Sequence, residues 1–225
     1  GGNAANAAAA IARLGGQAVL AARLGADQIA DMIVAGLEAD GVDCALVRRF
    51  EARRSSFSSV FIDAAGERQI VGYRDPDLPM RADWLVLALP DGFDAALADT
   101  RWPEGAEALM LAARERGVPG ILAQGLRDWA GHDDLGRALA DVAAETGVFV
   151  CVTDGAHGVN WRQGDACGFE PAYRIKAVDT LGAGDVWHGA FALELGGGAS
   201  APDSIRFANA VAAVKCTRPN GRMGY

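Results

Sequence analysis

Lysine is nearly absent from this chain, and its scarcity limits the partners that the surface can hold. Only Lys176 and Lys215 are lysines among 21 basic residues, and 29 acidic residues bring the formal net charge to −8. Such a chain offers no general basic patch for nucleic acid or anionic lipid. We therefore expect no nucleic-acid and no membrane partner. An anionic ligand would have to be held by backbone amides, a helix N-terminus or a few arginines.

Long apolar runs and clustered cysteines are also missing. No uninterrupted apolar segment reaches the ~20 residues of a membrane-spanning helix, so we expect a soluble protein. The composition, 51% hydrophobic and 22% charged, argues against disorder. The cysteines stand far apart without a C-x-x-C pair, which argues against a zinc site or a redox dithiol and favours free thiols in the cytoplasm. They are Cys44, Cys151, Cys167 and Cys216.

Strand-like and helix-like segments alternate along the chain, a pattern that predicts an α/β architecture with a largely parallel sheet. The length of 225 residues suits one large domain. Residues 93–100 fit a strand or a helix equally well. Helices are predicted over 3–14, 27–39, 103–116 and 134–145, after 184, and over 203–215. Strands are predicted over 18–24, 118–122 and 148–153, with a hairpin formed by 56–63 and 67–73.

The strongest motif is D-T-L-G-A-G-D over residues 179–185, which leads directly into a predicted helix. Gly182 and Gly184 let the backbone turn sharply and approach a ligand closely. The free amides and positive dipole end of the helix form an anion site, which suits the charge that develops in phosphoryl transfer. Asp185 at the helix mouth can accept the proton of an attacking hydroxyl. For this motif alone, an ordinary helix cap after a glycine turn remains the alternative.

Two further segments favour a nucleotide and sugar site. The apolar strand ending at Thr153 opens into a T-x-G-x-x-G loop that contains Gly155, and ligands of open α/β sheets lie at such carboxyl ends. At the amino end, the run from Gly1 to Asn6 is another glycine turn into a helix, with two amide side chains. No G-x-x-x-x-G-K-[ST] motif occurs, which excludes a P-loop enzyme.

Together these three segments resemble the ribokinase-like carbohydrate kinases, also called the PfkB family. The first family signature is similar to Gly1-Gly2-x-x-x-Asn6, and the second matches 179–185 at every position. The similarity continues through 25–27, 41–43 and 207–210, so it covers nearly the whole chain. It implies a Rossmann-type central sheet flanked by helices in one domain, residues 1–225, with a small β lid contributed around 46–73.

The resemblance also implies an activity and a set of roles. The chain would phosphorylate the hydroxymethyl group of a ketose-like sugar with ATP and Mg²⁺, and relatives are often homodimers. Asp185 would be the catalytic base, and Gly182, Ala183 and Gly184 the anion hole. ATP would be bound by Thr153, Gly155, Asn209 and Ala212. The sugar would face Gly2, Asn3 and Asn6, and Asp179 would hold a monovalent cation such as K⁺.

A closer resemblance, to kinases of 6-deoxy-6-sulfofructose, rests mainly on D-x-R-W at residues 99–102. It implies that Arg101 contacts the sulfonate, because a guanidinium suits a planar array of anionic oxygens. An ordinary salt-bridging arginine is the alternative, and Gly72 stands where that subgroup can have a sulfonate-binding Asn. Fructose-type sugars, ribose or a nucleoside remain open as substrates, as does a non-catalytic nucleotide or sugar sensor.

The chain also departs from the family pattern. Relatives carry a first strand, a sugar-binding Asp and early lid strands before Gly1, and further elements between positions matching 122 and 125. They also carry an N-x-x-E that anchors magnesium, which is absent here. Because losing core strands would exceed a protein's marginal stability, we expect these segments, including the natural start, to be omitted from the sequence. His188, one helical turn after Asp185, is expected to serve packing.

Overall fold

A computed structural model describes residues 2–62, 68–123, 125, 131, 134–219 and 221. Gly1, residues 63–67 within the predicted hairpin, and Gln124 at the predicted junction lie outside these residues. Within the described part of the chain, no helix combines the length and apolar character needed to span a bilayer.

Helices and strands alternate for most of the chain, as the sequence predicts. The helices are α1 (Asn3–Arg13), α2 (Gln28–Glu38), α3 (Asp83–Ala88), α4 (Pro103–Arg116), α5 (Leu135–Thr146), α6 (Ala183–Gly196) and α7 (Ala201–Cys216). The strands are β1 (Ala22–Gly25), β2 (Val47–Phe50), β3 (Phe57–Ile62), β4 (Arg68–Tyr73), β5 (Ala96–Asp99), β6 (Gly120–Ala123), β7 (Val150–Thr153), β8 (Gly158–Gln163) and β9 (Ala166–Pro171).

The strands form short ladders of both directions. β1 pairs with β2, and β5 with β6, in parallel. β3 and β4 form an antiparallel hairpin, and β7, β8 and β9 an antiparallel three-stranded sheet. The prediction of a largely parallel sheet is therefore right for β1, β2, β5 and β6 and wrong for β7. Only residues 154–157 connect β7 to β8, and a parallel return needs a crossover of a dozen residues or more.

Local sequence explains several helix boundaries. Asp27 caps α2 by accepting a hydrogen bond from the Ala30 amide, and Ser200 caps α7 in the same way through Asp203. Pro103 stands in the first turn of α4, where its missing amide proton costs nothing. That helix ends at Gly117 in the left-handed conformation.

The packing of three helices positions the candidate site. Ala7 to Ala10 of α1 are buried, and the first of them contacts Gly189 of α6. On its other side α6 packs against α7 through an apolar cluster of Val159, Trp187, Ala190, Phe191, Ile205 and Ala208. The amino ends of α1 and α6 are consequently brought side by side.

The hairpin β3–β4 stands apart from this core. Phe57 and Tyr73 pair their rings at 5.8 Å, whereas Phe61 and Ile70 are 59% and 60% exposed. Within the stretch 46–73 that was expected to contribute to the lid, Val47–Phe50 is part of the parallel pair with β1. The other strands of that stretch are those of the hairpin β3–β4, where the lid contribution stays a prediction.

Hydrogen bonds fasten the base of the hairpin to the core. Asp27 accepts from both the amide and the hydroxyl of Ser55, at 2.8 and 2.7 Å. Ser55 is wholly buried and accepts from the Gly25 amide. Asp75 accepts from the Arg54 amide at 2.8 Å. The two chain segments entering and leaving the hairpin are thus held where they join the core.

Candidate active site

The amino end of α6 presents unpaired amides at a glycine turn. Gly182 caps this 14-residue helix with a φ of 75°, in the left-handed region that favours glycine. Its carbonyl accepts from the Val186 amide, and the Ala183 amide donates to Thr180 at 3.2 Å. The amides of Gly184 and Asp185 donate to no other described residue. Free amides at the positive end of a helix dipole form an anion site.

Asn6 and Asp185, separated by 179 residues in the chain, are hydrogen-bonded. The side-chain Nδ2 of Asn6 donates to Oδ2 of Asp185 at 2.7 Å. Burial raises the pKa of Asp185; the Asn6 hydrogen bond and His188 act against this shift, and Asp99 adds to it. A carboxylate with a raised pKa is a stronger base for a hydroxyl proton. The structure therefore places the predicted base beside a predicted sugar-facing residue.

Asp99 and His188 also lie near Asp185, although neither was predicted from the sequence as a site residue. Both contribute to the lining of a small cavity that also includes Asp185, Asn3 and Ala7. Asp99 accepts from the Ala4 amide at 3.2 Å, which joins the carboxyl end of β5 to the start of α1.

His188 packs its ring edgewise against the indole of Trp187, in keeping with the packing role expected from the sequence. Burial lowers the pKa of His188, with the Gly184 carbonyl and Asp185 opposing the shift. The imidazole is therefore neutral at neutral pH.

Gly2 and Asn3, the other predicted sugar-facing residues, are exposed in the first turn of α1. The Gly2 carbonyl accepts from the Asn6 amide at 2.9 Å, and Gly2 itself has a φ of 129°. The helix therefore begins immediately after the glycine turn, and it projects Asn6 toward Asp185. This arrangement follows the glycine-to-amide spacing of the sequence.

The predicted nucleotide residues divide between two places. Thr153 is exposed at the end of β7, and Gly155 follows it in the turn with a φ of 51°. No hydrogen bond within the described residues joins either of them to Asp185. The exposed position at a strand end leaves both backbones open to a ligand.

Asn209 serves the interior of the fold. It is 7% exposed, its Oδ1 accepts from the Trp187 indole at 2.8 Å, and its Nδ2 donates to the Pro171 carbonyl at 3.1 Å. The side chain thereby links α7 to α6 and β9. Ala212, the other residue expected on the adenine side, is half-buried against the same core.

The turn that carries Arg101 is held from several sides. The Arg101 amide donates to the Asp99 carboxylate at 2.8 Å, and the Arg101 carbonyl accepts from the Arg23 guanidinium. The guanidinium of Arg101 is exposed and has no hydrogen-bond or ion-pair partner among the described residues. The backbone is fixed while the charged head is available, as an anion-binding arginine requires.

An aromatic column supports this turn. The Arg23 guanidinium lies 4.9 Å from the centre of the Trp102 ring, which stacks on Trp84 at 5.6 Å with 21° between the planes. The Arg48 guanidinium lies 5.3 Å from the centre of the Trp84 ring. Each cation over an indole face is stabilised by the ring quadrupole. We call these four residues the Arg–Trp column.

Asp179, expected to hold a monovalent cation, is surrounded by donors of the protein itself. Its two carboxylate oxygens accept from the Leu181 and Gly221 amides at 2.8 and 2.7 Å. Its main-chain carbonyl accepts from the ammonium of Lys215 at 2.7 Å. Within the described ranges no group of three or more His, Cys, Asp or Glu is placed to hold a metal ion.

Comparison with protein families gives a match along the whole chain. The model of the pfkB family carbohydrate kinases matches residues 1–124 and 123–224. Among curated proteins, Fructokinase-1 of Zea mays is 27% identical over 266 residues, which cover 97% of this chain and 82% of the maize protein. The ribokinase of Bacillus subtilis (strain 168) is 24% identical, over 95% of this chain and 80% of its own.

Solved structures agree. A ribokinase-like protein from Agrobacterium tumefaciens superposes with a TM-score of 0.90 at 31% identity, over 100% of this chain and 82% of its own. The Arabidopsis thaliana ribokinase, solved with ribose and ATP, gives a TM-score of 0.86 at 23% identity, over 99% of this chain and 83% of its own, a likeness of fold. The ribokinase-like α/β fold predicted from the sequence is confirmed.

Proposed function

Because this chain belongs to the pfkB family of carbohydrate kinases, we propose that it transfers the γ-phosphate of ATP to the hydroxymethyl group of a ketose-like sugar. The observation that carries the proposal is the pairing of Asn6 with Asp185 at 2.7 Å, beside the unpaired amides of Gly184 and Asp185. Base and anion site thus stand within one helical turn, where an attacking oxygen and a migrating phosphoryl group would meet.

In the proposed reaction, Asp185 accepts the proton of the sugar hydroxyl as the hydroxyl oxygen attacks the γ-phosphorus. The bond from that phosphorus to the β,γ-bridging oxygen breaks, and ADP leaves. The Asn6 amide orients the carboxylate and leaves Oδ1 of Asp185 for the substrate. Within the proposed anion hole of Gly182, Ala183 and Gly184, the unpaired Gly184 amide donates to the transferred group, whose charge grows in the transition state, and the Asp185 amide adds a second free donor. Since these donors are fixed by the helix, no reorganisation is needed when the charge develops.

Thr153, Gly155, Asn209 and Ala212 are proposed to form the nucleotide side. Thr153 and Gly155 are supported by their exposed position at a strand end. The Asn209 side chain is hydrogen-bonded to Trp187 and to the Pro171 carbonyl. On this side the nucleotide would therefore contact the surface of α7 around Ala212. ATP as donor is supported by the fold likeness to the Arabidopsis ribokinase solved with ATP.

Magnesium would reach the site with the nucleotide. Mg²⁺ is usually held by one or two carboxylates together with substrate phosphates, rather than by an all-protein cage. We therefore propose that the ion is held mainly by the ATP phosphates. When bound, it would neutralise phosphate charge.

The preferred substrate is 6-deoxy-6-sulfofructose. The support is the exposed guanidinium of Arg101, which has no partner in the described structure and whose backbone is fixed by Asp99 and Arg23. A cation held in this way suits an anionic group at the sugar's far end. Fructose and ribose, the substrates in the names of the related fructokinases and ribokinases, are the alternatives.

We also propose a homodimer in the cytoplasm. The exposed apolar side chains of the hairpin, including Phe61 and Ile70, support pairing through the lid. The four cysteines, all described, form no disulfide, which suits a reducing compartment. Burial raises the pKa of the Cys151 thiol to about 12, so this cysteine is unreactive at neutral pH.

The test is ADP release with fructose, ribose and 6-deoxy-6-sulfofructose. Wild-type protein is expected to release ADP with at least one of them. Asp185→Asn, which keeps the size of the side chain and removes the base, is expected to lose turnover while its Kd for ATP changes less than about twofold. Wild-type binding of sugar and ATP without ADP from any sugar would instead favour a non-catalytic sensor.

A further inference from the structure

Lys215 has the largest of the fully buried side chains in the described part of the chain. It stands in the last turn of α7, and its side chain is 0% exposed. Its Nζ donates to the main-chain carbonyl of Asp179 at 2.7 Å and lies 3.7 Å from the carboxylate Oδ1 of the same residue. Of the two lysines of the chain, the buried one therefore contacts Asp179 with its ammonium.

The oxygens that Lys215 contacts are those that an alkali cation would need. Main-chain carbonyl oxygens in particular replace the hydration shell of K⁺ in proteins. An ammonium supplies the same single positive charge and three donors. A second cation at the same oxygens would lie within a few ångströms of the ammonium, where like charges repel strongly in a poorly solvated site. The residues present therefore do not fit a separate monovalent ion at Asp179.

We propose that the ammonium of Lys215 takes the place of a monovalent cation beside Asp179, so that this site needs no K⁺. The positive charge that a bound K⁺ from solution would supply is here supplied by a side chain of α7. Lys215 is a positioning residue, because it acts on the phosphate-binding loop through Asp179.

Hydrogen bonds around Asp179 connect the Lys215 ammonium to the anion site. The Cys216 carbonyl accepts from the amides of Val178 and Asp179 at 2.7 and 3.2 Å. The Asp179 carboxylate in turn holds the Leu181 amide, directly before the Gly182 turn. The end of α7 and the loop that begins α6 are thus one bonded unit. Without Lys215 the carbonyl and the partly buried carboxylate of Asp179 would lose their cation, so the unit should loosen.

The first experiment compares ions on the wild-type protein. Its melting temperature and its Kd for a non-hydrolysable ATP analogue are measured in KCl, NaCl and choline chloride at one ionic strength. Both are expected to be the same in the three salts, with Kd values within about twofold. A Kd about tenfold tighter in KCl than in choline chloride would overturn the proposal, because an ion would then bind with Lys215 in place.

The second experiment removes the ammonium. Lys215→Ala is expected to melt at a lower temperature than wild type, and K⁺, ammonium or methylammonium ions are expected to restore part of the loss. Lys176→Ala, at the exposed second lysine, is the matched control and should neither lose stability nor respond to these ions. A folded Lys215→Ala that none of the three ions stabilises would overturn the proposal. If the variant does not fold, the wild-type comparison still decides.

The inference rests on the proposed function only for its consequence in catalysis. Melting temperature and binding of the ATP analogue require no turnover, so they test the ammonium separately. If the protein released no ADP with any sugar but kept its indifference to K⁺, the kinase proposal would fail and this one would stand. The reverse result, turnover that depends on K⁺ together with K⁺-dependent binding, would remove this proposal alone.

Discussion

Gly189 of α6 lies directly against the main-chain carbonyl of Ala7 in α1. A Cβ added at Gly189 would come within 2.5 Å of that oxygen and 3.1 Å of the Ala10 Cβ. Asn6 is adjacent to Ala7 in the sequence, and Asp185 lies one turn before Gly189. The close approach of the two helices therefore sets the distance at which Asn6 reaches Asp185.

We expect Gly189→Ala to push α1 and α6 apart. Overpacking of this kind usually costs about 1–3 kcal/mol of unfolding free energy, and each kcal/mol lowers the melting temperature of a chain this size by about 2–4 °C. The kcat should fall too, since the Asn6–Asp185 hydrogen bond would lengthen. Thermal melts and steady-state kinetics measure both effects.

Gly136→Ala is the matched control, because Gly136 is exposed in α5 and alanine favours a helix. Its melting temperature should stay the same or rise. Equal melting temperatures for the two variants would show that the contact between α1 and α6 accommodates an added methyl group, contrary to this prediction.

Asn6 and Asp99 should move the pH dependence of activity in opposite directions. The hydrogen bond from Asn6 lowers the pKa of Asp185, and the negative charge of Asp99 raises it. Since the base works as a carboxylate, activity rises with pH through this pKa. Asn6→Ala should therefore shift the acid limb of kcat/KM to higher pH, and Asp99→Asn should shift it to lower pH. Shifts in the same direction for both variants would refute this electrostatic account.

Arg101→Ala should affect a sulfonated sugar selectively. The exposed guanidinium has no other partner in the described structure, so its removal takes away substrate binding without disturbing the fold. We expect KM for 6-deoxy-6-sulfofructose to rise by about tenfold or more and KM for fructose to change little. Arg81→Ala, at an exposed arginine paired with Asp83, serves as control. Equal changes with the two sugars would remove the sulfonate assignment.

Features encoded in contiguous residues were predictable from the sequence. The turn at Gly182, the start of α6 and the place of Asp185 follow from the spacing of glycines in one motif, because only glycine readily adopts the required φ. The start of α1 after Gly2 follows for the same reason. The hairpin and most helices were predicted from their periodicity and end signals.

Features that depend on the meeting of distant segments were not predictable. The Asn6–Asp185 hydrogen bond arises from the contact between α1 and α6 at Gly189. Asp99 lies beside this pair because β5 ends at the start of α1. The burial of Lys215 runs against the usual exposure of lysine, so nothing in the sequence predicted it. The strands β2, β8 and β9 and the helix α3 were missed, because each has six residues or fewer and shows little periodicity.

The Arg–Trp column has a spectroscopic consequence. Two indoles stacked at 5.6 Å with 21° between their planes have transition dipoles close enough to couple, so the protein should show an exciton couplet in its circular dichroism. Trp102 directly follows Arg101, and its indole also donates to the Met80 carbonyl at 2.6 Å. The couplet is thus an intrinsic optical signal for any ligand that moves this turn, without an attached dye.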